Sequence, residues 1–474
     1  MEEVTFPTTD PRLLATVVSD DRIDALVGQG ERLRERLDGA SIVCVNSTAA
    51  GGGVAEMLHV LLPYVRGAGI DVRWLVIEGD ERFFEITKRI HNRLYGSEGD
   101  GGPLGADEHR HYDSVLEGNA AQLAGVVRPG DVVLIHDPQP AGLSGIVRKR
   151  GARVVWRCHI GTESSSACSE LGWAFLRRYL EPPMADAYVF TRRQFAPSWL
   201  PAELVHEITP SIDPFAPKNQ ELTEEEAEAL LASAGLLSGR QRDATYRRPD
   251  GTSRRIERGA DIVRSGPPPD PGAPLVVQIS RWDRLKDMVG VMQGFADLVV
   301  GDHDTQLVLA GPVVSSVADD PEGGEVLQEC WEAWRGLPQH ARSRIAVVCL
   351  PMADAEENAI LVNALQRHAA VVVQKSLAEG FGLTVAEAMF KRRTVLGSAV
   401  GGISDQIVDG DSGLLLAEPT DLDAFARLLG SILDDAPRRV AIGERARLRV
   451  IDRFLPDTQL ARWTELLAGL VDRA

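Results

Sequence analysis

The sequence predicts an α/β protein made of two doubly wound parallel sheets, one in each half of the chain. Three observations carry this. Short β-branched runs alternate with helix-like stretches, which is the rhythm of βαβ units on a parallel sheet. The rhythm occurs twice, with a polar stretch between. At 474 residues the chain also exceeds what one hydrophobic core supports.

The first series comprises SIVCVNS (41–47), VRWLVIEG (72–79), DVVLIHD (131–137) and RVVWRCHIG (153–161). The second comprises PLVVQISR (274–281), TQLVLAGP (305–312), RIAVVCLP (344–351), AVVVQKS (370–376) and RTVLGSA (393–399). Each run ends near Gly, Asp, His or another turn-forming residue, so each half is expected to be Rossmann-like. The domain boundaries predicted are 1–212 for the first, 213–272 for a linker and polar insertion, and 273–452 for the second. Residues 453–474 read as an amphipathic helix around Trp463 whose packing partner the pattern does not name. In the insertion, ELTEEEAEALLASAGLLSG is expected to be helical. The remainder, 240–272, has almost no apolar periodicity and is expected to be a flexible, solvated segment, with Arg254, Arg255 and Arg258 in water.

Bulk composition excludes several functions. A formal net charge of −18 argues against nucleic acid as partner, because phosphate backbones require a concentrated basic face. No 18-residue apolar run is present to span a bilayer. The opening MEEVTFPTTD lacks the basic and apolar regions of a secretory signal, so a cytoplasmic location is expected. Five scattered cysteines without a C-x-x-C pair indicate neither a disulfide framework nor a zinc site, and Cys44 and Cys349 read as small buried hydrophobes.

Five strand ends carry chemistry. Asn46-Ser-Thr-Ala-Ala-Gly51-Gly52-Gly53 runs from a strand into a helix. Its glycines let a backbone approach a phosphate or sugar, although a tight turn would use them equally. His136-Asp137-Pro138-Gln139-Pro140 and Arg157-Cys158-His159-Ile160-Gly161-Thr162 place Asp137, Gln139, Arg157 and His159 at carboxyl ends of strands, where open sheets bind ligands. A strand-ending turn and a core histidine are the structural alternatives. In the second half, Arg281 and Lys286 follow a strand. A guanidinium fork and a compact ammonium together suit a diphosphate without a metal, although a solvated helix start would carry the same charges. Finally, Gln374-Lys375-Ser376 precedes Glu379-Gly380-Phe381-Gly382-Leu383 and Glu387. A carboxylate accepts from sugar hydroxyls, and the Gly-Phe-Gly-Leu turn presents backbone N–H groups at the start of a helix over 384–390. Gly401-Gly402-Ile403 is a further close-approach loop.

With Arg281, Lys286, Glu379 and Glu387 in place, the second half resembles the family 4 retaining glycosyltransferases of the GT-B fold, whose mark is the Glu-x7-Glu spacing within EGFGLTVAEAM. NSTAAGGGVAEMLHVLLPYV, HDPQPAGL, WRCHI and IDPFAPKNQEL are similar to the trehalose glycosyltransferring synthases, and fungal trehalose phosphorylases share much of this pattern. The likeness covers most of 40–470, leaving out the first forty residues and 240–272. It implies two Rossmann-like domains facing a central cleft, no metal and no cofactor. It further implies glucose transfer from a nucleoside diphosphate glucose to glucose, with retention. By the same resemblance Arg281 and Lys286 hold the diphosphate, Glu379 and the Gly380-Phe381-Gly382-Leu383 turn the donor sugar and diphosphate, Glu387 the ribose, and Gly52 and Gly53 the sugar-phosphate region. Asp137 and His159 face the reacting centre, with Gln139 and Arg157 on the acceptor side. Where those synthases usually have an acidic residue after WRCHI, this chain has Gly161. A phosphorylase, a transferase to another acceptor and a non-catalytic nucleotide-sugar-binding regulator stand as alternative functions. The expected partners are a nucleotide sugar and a small sugar, with oligomeric state left open, a homodimer included.

Overall fold

The computed structural model describes residues 1–472 apart from 51, 164, 240–243, 249–250, 300–304 and 315–321. The chain divides into two units, Met1–Ile212 with Phe454–Ala474, and Asp213–Arg453.

The first unit is a seven-stranded sheet: β1 (Glu2–Glu3), β2 (Ile42–Asn46), β3 (Val72–Val76), β4 (Val132–His136), β5 (Arg153–Cys158), β6 (Ala187–Phe190) and β7 (Val205–Glu207), in the order β1-β3-β2-β4-β5-β6-β7. All neighbours are parallel except the antiparallel edge β1. Strand alternation sends successive residues to opposite faces. Val43, Val45, Val133 and Ile135 join one core, and Ile42, Cys44, Val132 and Leu134 join the other. The chain leaves β2 for β3 on one side and later returns for β4 on the other, so the order reverses between β2 and β4.

The helix Pro456–Val471 belongs to this unit. Trp463, Leu467 and Leu470 enter the core with Ile42, Cys44 and Trp74. Asp457 accepts from Arg22 at 2.8 Å, and Ser211 donates to Gln459 at 2.7 Å.

The second unit has β10 (Asp261–Val263), β11 (Leu275–Ile279), β12 (Gln306–Pro312), β13 (Ile345–Leu350), β14 (Val371–Gln374), β15 (Thr394–Ser398) and β16 (Leu414–Leu416), ordered β10-β13-β12-β11-β14-β15-β16. Only the edge β10 is antiparallel among these described strands. Here the order reverses between β11 and β14.

Residues 213–272 are part of this second unit, and the expectation of a flexible linker with a solvated insertion is corrected. The helix Glu224–Ser233 forms as expected, closed by a reciprocal Thr223–Glu226 capping box. Beyond it, β8 (Thr245–Arg247) and β9 (Ser253–Arg255) make a hairpin that buries Tyr246, and β10 extends the sheet. Of the arginines expected in water, Arg254 pairs with Asp354, and Arg258 Nη1 lies 2.6 Å from Glu357. Both bind the acidic first turn of the helix Ala355–His368 and its cap, where a helix dipole concentrates negative side chains. Residues 240–243 and 249–250 of the insertion lie outside the described residues. No helix is long and apolar enough to cross a membrane among the described residues.

Candidate active site

Doubly wound sheets bind ligands at the carboxyl ends of the strands where the order reverses. In the first unit that point is flanked by Asn46 at the end of β2 and His136 at the end of β4. Asp137 follows with φ 64°, a left-handed conformation that Asp tolerates better than most residues. Its N–H donates to the Arg157 carbonyl at 2.7 Å, and its own carbonyl accepts from Trp156 Nε1 at 3.1 Å. The carboxylate Oδ1 accepts from the His159 N–H at 2.7 Å. Both backbone and side chain of Asp137 are therefore tied to β5 and its exit.

Burial pushes the Asp137 carboxyl up to about 7, against the opposing pull of the His159 N–H and the Arg157 charge. Burial and the same guanidinium drive His136 down to about 3 and His159 well below its ordinary value, so both imidazoles are neutral at pH 7. The rings stack, with His136 Nδ1 and His159 Nε2 sharing a hydrogen at 3.2 Å. Arg157 is wholly buried behind this pair. Burial lowers it to about 10, it reaches Thr191 Oγ1 at 3.4 Å, and its Nε and Nη1 have no hydrogen-bond partner. Gln139 Oε1 and His136 Nε2 are likewise buried without one.

Gly52, extended, caps the helix Gly53–Gly67. A side-chain carbon at Gly52 would meet nothing within 4 Å, so local packing does not demand this glycine. Gly51 lies outside the described residues. At Gly161 the opposite holds: an added carbon would come 2.6 Å from Phe195, whose buried ring takes up the space of a side chain.

In the second unit the reversal lies between β11, which leads to Arg281 and Lys286, and β14, which leads to Lys375, Ser376 and Glu379. Lys286 Nζ donates to Glu379 Oε2 at 2.6 Å, and Ser376 Oγ donates to the same oxygen at 3.2 Å. Gln374 Nε2 donates to Ser376 at 3.0 Å, and Thr384 Oγ1 donates to Gln374 at 3.3 Å, extending the chain of bonds to the next helix. Arg281 is partly exposed, 3.8 Å from Asp283.

Gly380 and Phe381 are buried, and Gly382 adopts φ 86° as the cap of the helix Leu383–Phe390. Gln406 Nε2 holds this turn from below, donating to the Phe381 carbonyl at 2.5 Å and the Gly382 carbonyl at 3.2 Å. Glu387, in that helix, is buried with Oε2 lacking a hydrogen-bond partner and Oε1 at 4.0 Å from Lys218. Below it, Lys391 is fully buried and donates to Asn219 at 2.8 Å, Gln366 at 2.7 Å and the Glu387 carbonyl at 3.2 Å. Burial depresses this lysine to about 7.

The structure thus joins Asp137 with His159 and Arg157, and Lys286 with Glu379. Lys218, Asn219 and Lys391 carry no distinct sequence signal beyond the KN within IDPFAPKNQEL. Among the described residues no three His, Cys, Asp or Glu side chains are grouped to hold a metal ion.

Comparison with known proteins decides the family. Residues 44–197 match the family described as trehalose synthase, N-terminal domain, and 261–449 match glycosyl transferases group 1. The trehalose synthase of Thermococcus litoralis is 34% identical over 451 residues, 95% of each chain. This chain belongs to the trehalose synthase family. As a member of it, the protein is a glycosyltransferase that moves a hexosyl group. The trehalose phosphorylase of Pleurotus pulmonarius is 26% identical over 468 residues, 94% of this chain and 58% of that one. The structure of an α,α-trehalose-phosphate synthase (UDP-forming) from Burkholderia vietnamiensis, 16% identical, superposes with a TM-score of 0.65 over 92% of this chain and 99% of that one. That likeness shows the fold, GT-B with two Rossmann-like units.

Proposed function

We propose that this trehalose synthase family member transfers glucose from a nucleoside diphosphate glucose to the anomeric hydroxyl of glucose, forming an α,α-linked disaccharide with retention. The observation that carries this reading is that the likeness to trehalose synthases runs through both units, over 451 residues, and so includes the donor and acceptor halves alike.

In this reading Arg281 and Lys286 neutralise the diphosphate as it departs, an electrostatic contribution that is commonly the largest in catalysis. Retention results from same-face attack, with the leaving phosphate taking the acceptor proton. The geometry of Glu379 supports that choice. One of its oxygens already accepts from Lys286 and Ser376, which suits a ligand for sugar hydroxyls and weakens a nucleophile. The unspent buried oxygen of Glu387 suits a ribose hydroxyl. Asp137 and His159, fixed together at the end of β5, face the reacting centre, with Gln139 toward the acceptor. No metal is needed for charge balance, and the reaction belongs in the cytoplasm.

A product assay with UDP-, ADP- and GDP-glucose against a panel of acceptors, read by mass and linkage, tests the proposal. Trehalose with the α,α linkage is the expected product. Failure to transfer from any donor to glucose would sink it. The similarity to trehalose phosphorylases favours one second reading, phosphorolysis. Phosphate-dependent release of glucose from trehalose would identify it.

A further inference from the structure

Gln278 is wholly buried at the carboxyl end of β11 and bonds two loops at once. Its Nε2 donates to the Lys286 carbonyl at 2.7 Å, and its Oε1 accepts from the Lys375 backbone N–H at 3.0 Å. Two more ties run beside this bridge. The Leu377 N–H donates to the Leu285 carbonyl at 2.7 Å, and the buried Lys375 ammonium pairs with Asp287. The first loop carries Lys286 and the second leads to Glu379, where the two meet again through their side chains.

A lysine ammonium rides on a flexible four-carbon stem, so its position depends on where the backbone roots it. Misplacing a reacting or charge-stabilising group by about 1 Å can cost on the order of a hundredfold in rate. Gln278 bonds directly to the backbone of both Lys286 and Lys375. Removing it leaves a part-buried carbonyl and a buried N–H without this partner.

We propose that Gln278 is a positioning residue of the donor site: by holding the loop of Lys286 against the loop leading to Glu379, it sets affinity for the nucleoside diphosphate group and the rate of sugar transfer. This rests on reading Lys286 as a diphosphate ligand. Gln278 touches no substrate in this scheme and acts through Lys286.

Two variants of the full chain test it. Gln278→Met keeps length and shape and removes both bonds. Gln278→Glu keeps size and an acceptor for Lys375 and removes the amide donor toward Lys286. Calorimetric titration with UDP, ADP and GDP, read on the folded fraction, should show Kd for the preferred nucleotide raised about tenfold or more in both, as expected when a buried bond is lost. Donor KM should rise and kcat fall, with acceptor KM unchanged. Wild-type Kd in both variants overturns the proposal whatever their melting temperatures. So does an equal rise in donor and acceptor KM, which marks a general structural lesion. Gln278→Glu behaving as wild type while Gln278→Met is impaired shows that the bridge acts through Lys375, and also overturns it. Lys286→Ala separates the two levels of inference. If Lys286→Ala binds nucleotide as wild type does, or the wild type binds none of the three, the donor reading itself falls. If Lys286→Ala is impaired and the Gln278 variants are not, only the role of Gln278 falls.

Discussion

The ammonium of Lys286 stands 2.6 Å from a carboxylate oxygen of Glu379, although 93 residues separate them in the chain. Both groups follow strands that flank the reversal of the second sheet, so the fold brings together what the sequence keeps apart. In the function proposed above, a diphosphate drawing on Lys286 would take part of the charge that now balances Glu379 and so free that carboxylate to accept from a sugar hydroxyl. That proposal would couple donor binding and sugar recognition through this ion pair.

Loss of either donor-side cation should reduce turnover far more than it unsettles the fold. Arg281→Ala and Lys286→Ala are expected to lower kcat by about 10²–10³, the range for removing one charge-stabilising group. Arg281 is partly exposed, so its variant should melt close to wild type. Lys286→Ala removes the ammonium partner of Glu379 and leaves it the Ser376 hydroxyl, so a moderate fall in melting temperature should accompany it. Steady-state rates beside thermal melts check both, and near-normal turnover in the two variants contradicts their assignment.

Asp137 gives a signed pH prediction. Its folded pKa of about 7 lies above the unfolded carboxyl value of about 4. Across that window the folded state binds a proton that the unfolded state does not, so its contribution to stability declines as pH rises. Asp137→Asn removes the titration, still accepts from His159, and tolerates the left-handed backbone. The variant should gain melting temperature relative to wild type between pH 5 and pH 8 while losing activity. A constant difference across that range would refute the shift.

Gly401 has φ 47°, and a side-chain carbon there would collide with the Glu379 carbonyl. Gly401→Ala is expected to cost about 1–3 kcal/mol through backbone strain and, on the proposed role of Glu379, to weaken binding of the nucleotide sugar by displacing that residue. Chemical denaturation together with titration of the nucleotide sugar measures the two effects.

Trp463→Ala should destabilise the first unit by about 3–5 kcal/mol, the usual cost of truncating a buried aromatic. Scanning calorimetry of the full chain should show the transition of that unit moving down while the other holds. A shift in the second unit's transition instead would contradict the packing described.

Much of the fold is readable because the central strands are buried on both faces and so appear as runs such as IVCVN and VVLIH. The edges are not. β1 is two glutamates, and β10 is the tripeptide Asp261-Ile-Val, both too short to show a period. Their pairing is decided by strands far along the chain. At the site, residue types and strand ends point to Asp137, His159, Lys286 and Glu379, but burial and partners do not show in a linear pattern. Arg157 is expected on the acceptor side, and its complete burial does not show in the linear pattern. Gln278 looks like one more strand residue until the two loops it bridges are seen together. Gly161 lacks a side chain for a reason only Phe195 supplies.

The second unit is one uninterrupted stretch, 213–453, whereas the first takes its closing helix from 456–471. During synthesis the second unit is complete while the first still lacks Trp463, Leu467 and Leu470, and domains fold as their residues become available. The half that is translated first is consequently the last to acquire its full core, because its apolar face around Ile42, Cys44 and Trp74 is covered only once residues 456–471 have been made.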